Sequence, residues 1–325
     1  MIELGPATRE AYGEALIELG AADRRIVALD ADLSKSTMSG AFGKRFPDRF
    51  FNVGIAESNM VGVAAGLAAA GKIPFASSFA CFLLCNAFDQ IRLSVAYAGL
   101  NVKLVGSHSG ISVGEDGVSQ QSVEDLALAC ALPGMAVLAP ADAVSARAAV
   151  FAAAAHDGPV YLRMGRPKAP IVYRSECSFR IGRAIQARPG NDLTVVAVGL
   201  LVSAALEAAD GLAAEGVSVR VLDMASVKPL DEEALVAAAE ETGRIVVAED
   251  HLLRGGLGSA VAMSVARRHP VPMAFVGLDD TYAFSAPGQQ LLDWFGLSSE
   301  GILRAARSLL DGMGDRRPRR RNETG

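Results

Sequence analysis

The chain has 325 residues, of which 51% are hydrophobic and 21% charged, with a net charge of -5. This is a globular composition, long enough for two domains that each bury a core, and its mildly acidic balance carries no electrostatic footprint for nucleic acid. The first residues, Met1 to Glu10, hold acids and no apolar stretch, so no secretory signal is expected. No apolar run reaches the roughly 18 residues of a membrane span. Cys81, Cys85, Cys130 and Cys177 follow neither zinc nor redox spacing; reduced thiols in a cytoplasmic protein are expected.

In chain order, short apolar runs alternate with longer helical patterns. Strands are predicted at Ile26–Leu29, Phe51–Ile55, Phe75–Phe79, Val102–Val105, Ala136–Leu138 and Val160–Arg163. Helices are predicted between them at Ala11–Leu19, Ser58–Ala70, Phe82–Ala98, Val123–Ala131 and Ala143–Ala154. Such alternation marks an α/β fold with a mainly parallel sheet. Residues 165–191 hold three prolines and little periodicity, as a linker would.

A second α/β series follows, with strands at Thr194–Val198, Val217–Asp223, Ile245–Glu249 and Met273–Val276 and helices at Ser203–Glu215, Asp231–Glu241 and Leu257–Arg268. The last helix is predicted at Glu300–Leu310. The expected organisation is a first domain at 1–170, a linker at 171–190, a second domain at 191–312 and a disordered basic tail at 313–325.

Three segments stand out chemically. Glu57 falls where a strand gives way to a helix, the edge of an open parallel sheet where ligands bind; an acid at a helix start is also favoured by the dipole alone. Gly106 to Gly110 and Gly114-Glu115-Asp116-Gly117 form a long loop after a strand, with His108 inside it, which reads as a site loop or, at its tip, a solvated turn. Gly255-Gly256-Leu257-Gly258 looks like a dinucleotide fingerprint but places Val261 where its last small residue belongs, so tight helix packing is expected there. His156, His251 and His269 have no metal-ligand spacing.

Read together, these pieces resemble the transketolase family. The ordered set runs through Pro6-Ala7-Thr8-Arg9, Asp30 to Ser36, Gly54 to Met60, Ser78 to Phe82, Phe88 to Arg92, His108, Gly114 to Gly117, Lys228-Pro229-Leu230 and Glu249-Asp250-His251 with Gly255 to Ala260. It covers about residues 6–310. The family's diphosphate-binding domain, with its Gly-Asp-Gly motif, is absent from this sequence. The resemblance is therefore to the C-terminal subunit of a split transketolase: a pyrimidine-binding domain plus the transketolase C-terminal domain, both α/β.

The resemblance implies thiamine diphosphate as cofactor, with Mg2+ ligands and diphosphate contacts supplied by an N-terminal partner subunit. Self-association to a heterotetramer is implied as well. Glu57 matches the residue that hydrogen-bonds N1′ of the aminopyrimidine, for which its carboxyl must carry the proton. Phe79 and Phe82 match the rings that stack on the pyrimidine. Arg9, Ser36, His108 and Arg163 match the grip on a sugar phosphate, and Asp116 the contact to a hydroxyl of the aldose acceptor. Gln120 departs from the family, standing where a histidine normally meets the reacting end of the donor; an amide hydrogen-bonds but cannot act as an acid near neutral pH.

The implied activity is transfer of a two-carbon ketol unit between a ketose phosphate and an aldose or aldose phosphate. Its rivals are a 2-oxoacid dehydrogenase beta subunit, a 1-deoxyxylulose-5-phosphate synthase-like enzyme and a non-catalytic regulatory subunit. The presence of Glu57 argues against the last, and Gly114 to Gly117 shortly after His108, together with the Arg9, Ser36 and Arg163 set, argues against the first.

Overall fold

The computed structural model describes residues 3–312; the expected basic tail at 313–325 lies outside them. The described strands are β1 Ile26–Asp30, β2 Phe50–Asn52, β3 Ile73–Phe79, β4 Lys103–Ser107, β5 Ala136–Leu138, β6 Val160–Arg163, β7 Ile185–Arg188, β8 Leu193–Ala197, β9 Val219–Asp223, β10 Ser226–Lys228, β11 Ile245–Leu252 and β12 Met273–Leu278. They form a seven-stranded sheet of order β10-β5-β6-β4-β3-β1-β2 and a five-stranded sheet of order β12-β11-β8-β9-β7. Each sheet is parallel except for one antiparallel edge strand, β10 on β5 and β7 on β9. β1, β3, β4 and β6 are buried at every position, as parallel strands covered by helices on both faces must be.

One face of the first sheet is covered by helices Thr8–Ala22 and Ala143–Ala155, whose Tyr12, Leu16, Ala146 and Val150 pack on Ile26, Phe75 and Leu162. The other face carries Glu57–Ala69 and Ala80–Asn86. Here the apolar cluster does not stop at the domain limit: Met60, Leu84 and Leu126 belong to the same buried core as Val196, Val247 and Val261. The two halves thus share a core, and removing apolar surface from water joins them as it joins helices to sheets.

Three local expectations are corrected. The helix expected over Phe82–Ala98 is broken into Ala80–Asn86, Phe88–Gln90 and a wider turn at Ile91–Tyr97; the Asn86 carbonyl is taken by the Ser58 hydroxyl at 2.6 Å. Part of the expected linker forms β7, a short edge strand with no apolar run to announce it. Strand β10 comes from the second half of the chain yet completes the first sheet. Behind it, Lys228 Nζ donates to the Cys130 and Leu132 carbonyls at 2.9 and 2.5 Å, satisfying the carbonyl end of helix Asp125–Cys130.

Candidate active site

The sequence-predicted residues gather at the carboxyl ends of the parallel strands. β1 leads into the turn carrying Ser36, β2 into Glu57, β3 into Phe82, β4 into His108 and β6 into Arg166. This edge is where an open parallel sheet leaves room for a ligand.

Glu57 is the first residue of helix Glu57–Ala69 and is 5% exposed. Its Oε1 accepts a hydrogen bond from the Ser78 hydroxyl at 2.9 Å. Ser78 lies near the end of β3, so sheet and helix start together aim the carboxyl. Phe79 stacks on the His108 ring with centroids 3.8 Å apart and on Phe82 at 5.5 Å. Phe79 is buried and Phe82 half-buried, which makes Phe82 the ring with surface left for a planar ligand and Phe79 its support. A buried carboxyl and a half-open aromatic platform following the same strand fit an aminopyrimidine.

The residues expected to bind an anion are positioned by a buried carboxylate. Asp30, at the end of β1, accepts from the Leu33 N–H at 2.6 Å and from the Thr37 and Ser39 hydroxyls at 2.7 and 2.8 Å. Burial pushes its pKa up while these hydrogen bonds oppose the rise. The turn it holds presents the Ser36 carbonyl, which accepts from Arg9 at 2.6 Å. Arg9 Nε is buried with no hydrogen-bond partner among the described residues. Burial, with repulsion from Arg166, lowers the Arg9 pKa. Burial, with Arg9 and Arg166 adding to it, pushes the His108 imidazole down to about 3. His108 is therefore neutral near pH 7, with its Nδ1 3.0 Å from the Ser107 hydroxyl.

Arg163 requires a correction. The expectation made it a phosphate ligand, but it is 7% exposed and ion-paired inside the protein. Its Nε and one terminal nitrogen donate to the two Asp125 carboxylate oxygens at 2.8 and 3.1 Å, and that same terminal nitrogen reaches the Asp250 carbonyl at 2.9 Å. The arginine facing Arg9 and His108 is Arg166, three residues further on, with its side chain 37% exposed. Arg166 donates to the Val113 carbonyl at 2.6 Å and pairs with Glu115 at 3.3 Å. The sequence did not single it out because Arg166 falls in the aperiodic, proline-bearing stretch 165–191, which resembles a linker. The available signal was that an arginine just past a strand's carboxyl end lies in the ligand crevice.

Asp116 is exposed on the Gly114–Gly117 turn, next to the residue paired with Arg166. Gln120 is half-buried; its side-chain oxygen accepts from the Ser119 hydroxyl at 2.6 Å and its carbonyl from the Cys81 thiol at 3.3 Å. That thiol contact brings Gln120 to the segment carrying Phe82. The glycine-rich stretch is explained by Glu249, whose carboxylate accepts from the Leu257 and Gly258 N–H groups, both at 2.7 Å. A Cβ on Gly256 would lie 2.2 Å from that carboxylate. The cradle is filled by the protein's own anion, as the helix N-terminus favours, and leaves no place for a dinucleotide.

With this geometry in place, residues 5–171 match the transketolase pyrimidine-binding domain and residues 182–302 match the transketolase C-terminal domain. The chain belongs to the transketolase family. It is a transferase subunit of the split kind, similar along its length to other such sections. It is 44% identical over 93% of its length, and over 94% of the relative, to the 6-deoxy-6-sulfo-D-fructose transketolase subunit SqwH of Clostridium sp. (strain MSTE9). A putative transketolase C-terminal section from Methanocaldococcus jannaschii is 44% identical over 90% of this chain and 93% of that one. Among solved structures, a split gene transketolase, an inactive beta4 tetramer, superposes with a TM-score of 0.88 at 49% identity, covering 94% of this chain and 99% of that chain. The chain spans about half of longer relatives, such as transketolase-like protein 2 of Mus musculus, 42% identical over 93% of this chain and 48% of that protein.

Proposed function

We propose that this transketolase-family chain, joined by a partner chain carrying the diphosphate-binding domain, transfers a two-carbon ketol unit from a ketose phosphate to an aldose or aldose phosphate. The observation carrying this reading is the buried Glu57 carboxyl at the same sheet edge as the Phe79–Phe82 stack, with Arg9, Ser36, His108 and Arg166 at that edge. Thiamine diphosphate, when bound, supplies the carbanion-stabilising chemistry. Glu57 holds a proton at N1′ of the aminopyrimidine, Phe82 stacks on its face, and Ser78 fixes the carboxyl. Arg9 and Arg166 take the anionic end of the sugar, His108 donates or accepts a neutral hydrogen bond, and Asp116 accepts from an acceptor hydroxyl. Gln120 faces the reacting end of the donor.

No cluster of residues that could hold a metal ion occurs among the described residues; Mg2+ ligands are assigned to the partner chain. The reading predicts that the lone chain shows no saturable uptake of thiamine diphosphate and Mg2+ in calorimetry, and that adding the partner creates it. Tight binding by the lone chain would sink the split-subunit reading. The homotetrameric relative described as inactive supports it.

The anion end gives a second test. Arg166→Ala should raise KM for a phosphorylated acceptor by about 1.5–3 kcal/mol of lost charge-assisted bonding, one to two orders of magnitude. Partial exposure places Arg166 toward the lower figure. A non-phosphorylated acceptor should show little change. Equal losses on both acceptors would remove Arg166 from anion recognition. Because a relative is named for a sulfonated sugar, the assay includes 6-deoxy-6-sulfofructose beside a pentulose 5-phosphate. Two guanidinium groups accept either tetrahedral oxyanion, and the ratio of kcat/KM values decides between the two donors.

A further inference from the structure

The loop from Gly110 to Gln121 presents Asp116, and it is anchored at two points by the second half of the chain. The first anchor is Asp250, 4% exposed on β11. Its Oδ1 accepts from the Ile111 N–H at 2.9 Å and its Oδ2 from the Ser112 N–H at 3.3 Å. Gly110 has φ +76, and a Cβ there would lie 2.0 Å from Asp250 Oδ2. Loop and carboxylate are therefore fitted so closely that only glycine is accommodated. The Leu252 N–H adds a bond to the Val123 carbonyl at 2.9 Å just past the loop.

The second anchor is the segment Phe284–Gly288. Gln121 Nε2 donates to the Gly114 and Phe284 carbonyls at 3.3 and 3.1 Å. The Ser285 hydroxyl donates to the Glu115 carbonyl. A Cβ on Gly114 would lie 2.9 Å from the Gly288 nitrogen. Asp116 sits between these two holds with its own side chain exposed.

We propose that Asp250 is a positioning residue for the sugar acceptor. Through it and Phe284–Gly288, the C-terminal domain fixes the loop that presents Asp116 and so sets the KM for the aldose. This inference rests on the reading of Asp116 as the acceptor contact. A loop already ordered does not lose its conformational freedom when the sugar binds, so binding energy is not consumed in arranging it. Without the anchors, Asp116 samples positions from which the hydroxyl is out of reach.

The test uses this chain assembled with its diphosphate-binding partner, and the variants Asp250→Ala, Asp250→Asn and Ser285→Ala. In Asp250→Ala, amide hydrogen exchange over residues 107–121 should rise severalfold while exchange in β8 and β11 stays protected. Acceptor KM should rise on the order of tenfold, within the hundredfold that about 1 Å of misplacement can cost. The kcat and the exchange of the cofactor C2 proton should keep their wild-type values, which a general loss of structure would not allow. Asp250→Asn retains one acceptor oxygen and should fall between wild type and alanine. Ser285→Ala changes an exposed residue, leaves the core untouched, and should shift exchange and KM in the same direction by less. Wild-type exchange and KM in the folded variants overturn the proposal, as does a loss confined to kcat. Unchanged KM in Asp250→Ala beside a raised KM in Asp116→Ala overturns it alone. Unchanged KM in Asp116→Ala removes the acceptor contact itself, and the proposal falls with it.

Discussion

Replacing Glu57 by alanine in the assembled enzyme is expected to remove nearly all two-carbon transfer while leaving the fold intact. Among the described residues the side chain makes one hydrogen bond, from the Ser78 hydroxyl, and it is buried at the first position of its helix. Truncation therefore costs that hydrogen bond, about 0.5–1.5 kcal/mol. The catalytic loss is of a different order, because a positioned proton-holding group contributes about 10²–10⁴ in rate. Exchange of the cofactor C2 proton, followed by NMR in the complex, isolates the step. Circular dichroism and partner binding should be unchanged. Exchange at the wild-type rate in Glu57→Ala would show that another group activates the cofactor.

Arg163→Ala is expected to unfold the protein more easily by about 3–5 kcal/mol, the cost of leaving a buried charge without its partner. The charge concerned is Asp125, wholly buried and bound to Arg163 through both carboxylate oxygens. Tyr161 donates to the same carboxylate at 2.7 Å but brings no charge. Burial pulls the Asp125 pKa upward, and the Arg163 guanidinium, with His251 and the Tyr161 hydroxyl adding to it, outweighs burial and holds it below the usual carboxylate value. A depressed folded value means that the pair contributes its stability above the unfolded carboxylate pKa. That contribution is lost as pH falls through the lowered folded value. With Arg163 removed, burial becomes the dominant influence and the sign reverses at this site: the variant should gain stability on acidification where the wild type loses it. Urea unfolding across the acidic range reads both effects. Wild-type stability in Arg163→Ala, together with a specific loss of phosphorylated substrate, would return Arg163 to the anion site and displace Arg166.

The contrast between Arg163 and Arg166 shows what the sequence made legible. Strand β6 was readable from its apolar run, and its carboxyl end pointed to ligand chemistry. Which of two arginines three residues apart would face the crevice was not readable. Nothing in the local pattern indicates that Asp125, at the start of a helix far back in the chain, reaches Arg163 at the end of β6. His251 is a similar case. It is wholly buried; its Nε2 accepts from the Ala127 N–H at 3.3 Å and its Nδ1 donates to the Leu252 carbonyl at 2.7 Å. It is a joint between the two halves, a role that spacing along the chain could not reveal.

The sequence by itself determined the alternation of strands and helices, the start of the Glu57 helix, the order of the site loops and the membership of the chain in its family. These depend on local physics: apolar runs long enough to cross a sheet, helix-start acids, and glycines where the backbone turns. Tertiary structure decided the rest. It placed β10 of the second half on the first sheet, merged the two halves into a shared core, withdrew Arg163 into an ion pair and set Asp250 against the loop of the first half. Each of these joins residues far apart in the chain. Their partners are selected by shape, burial and charge in the folded protein, and no local pattern encodes that choice.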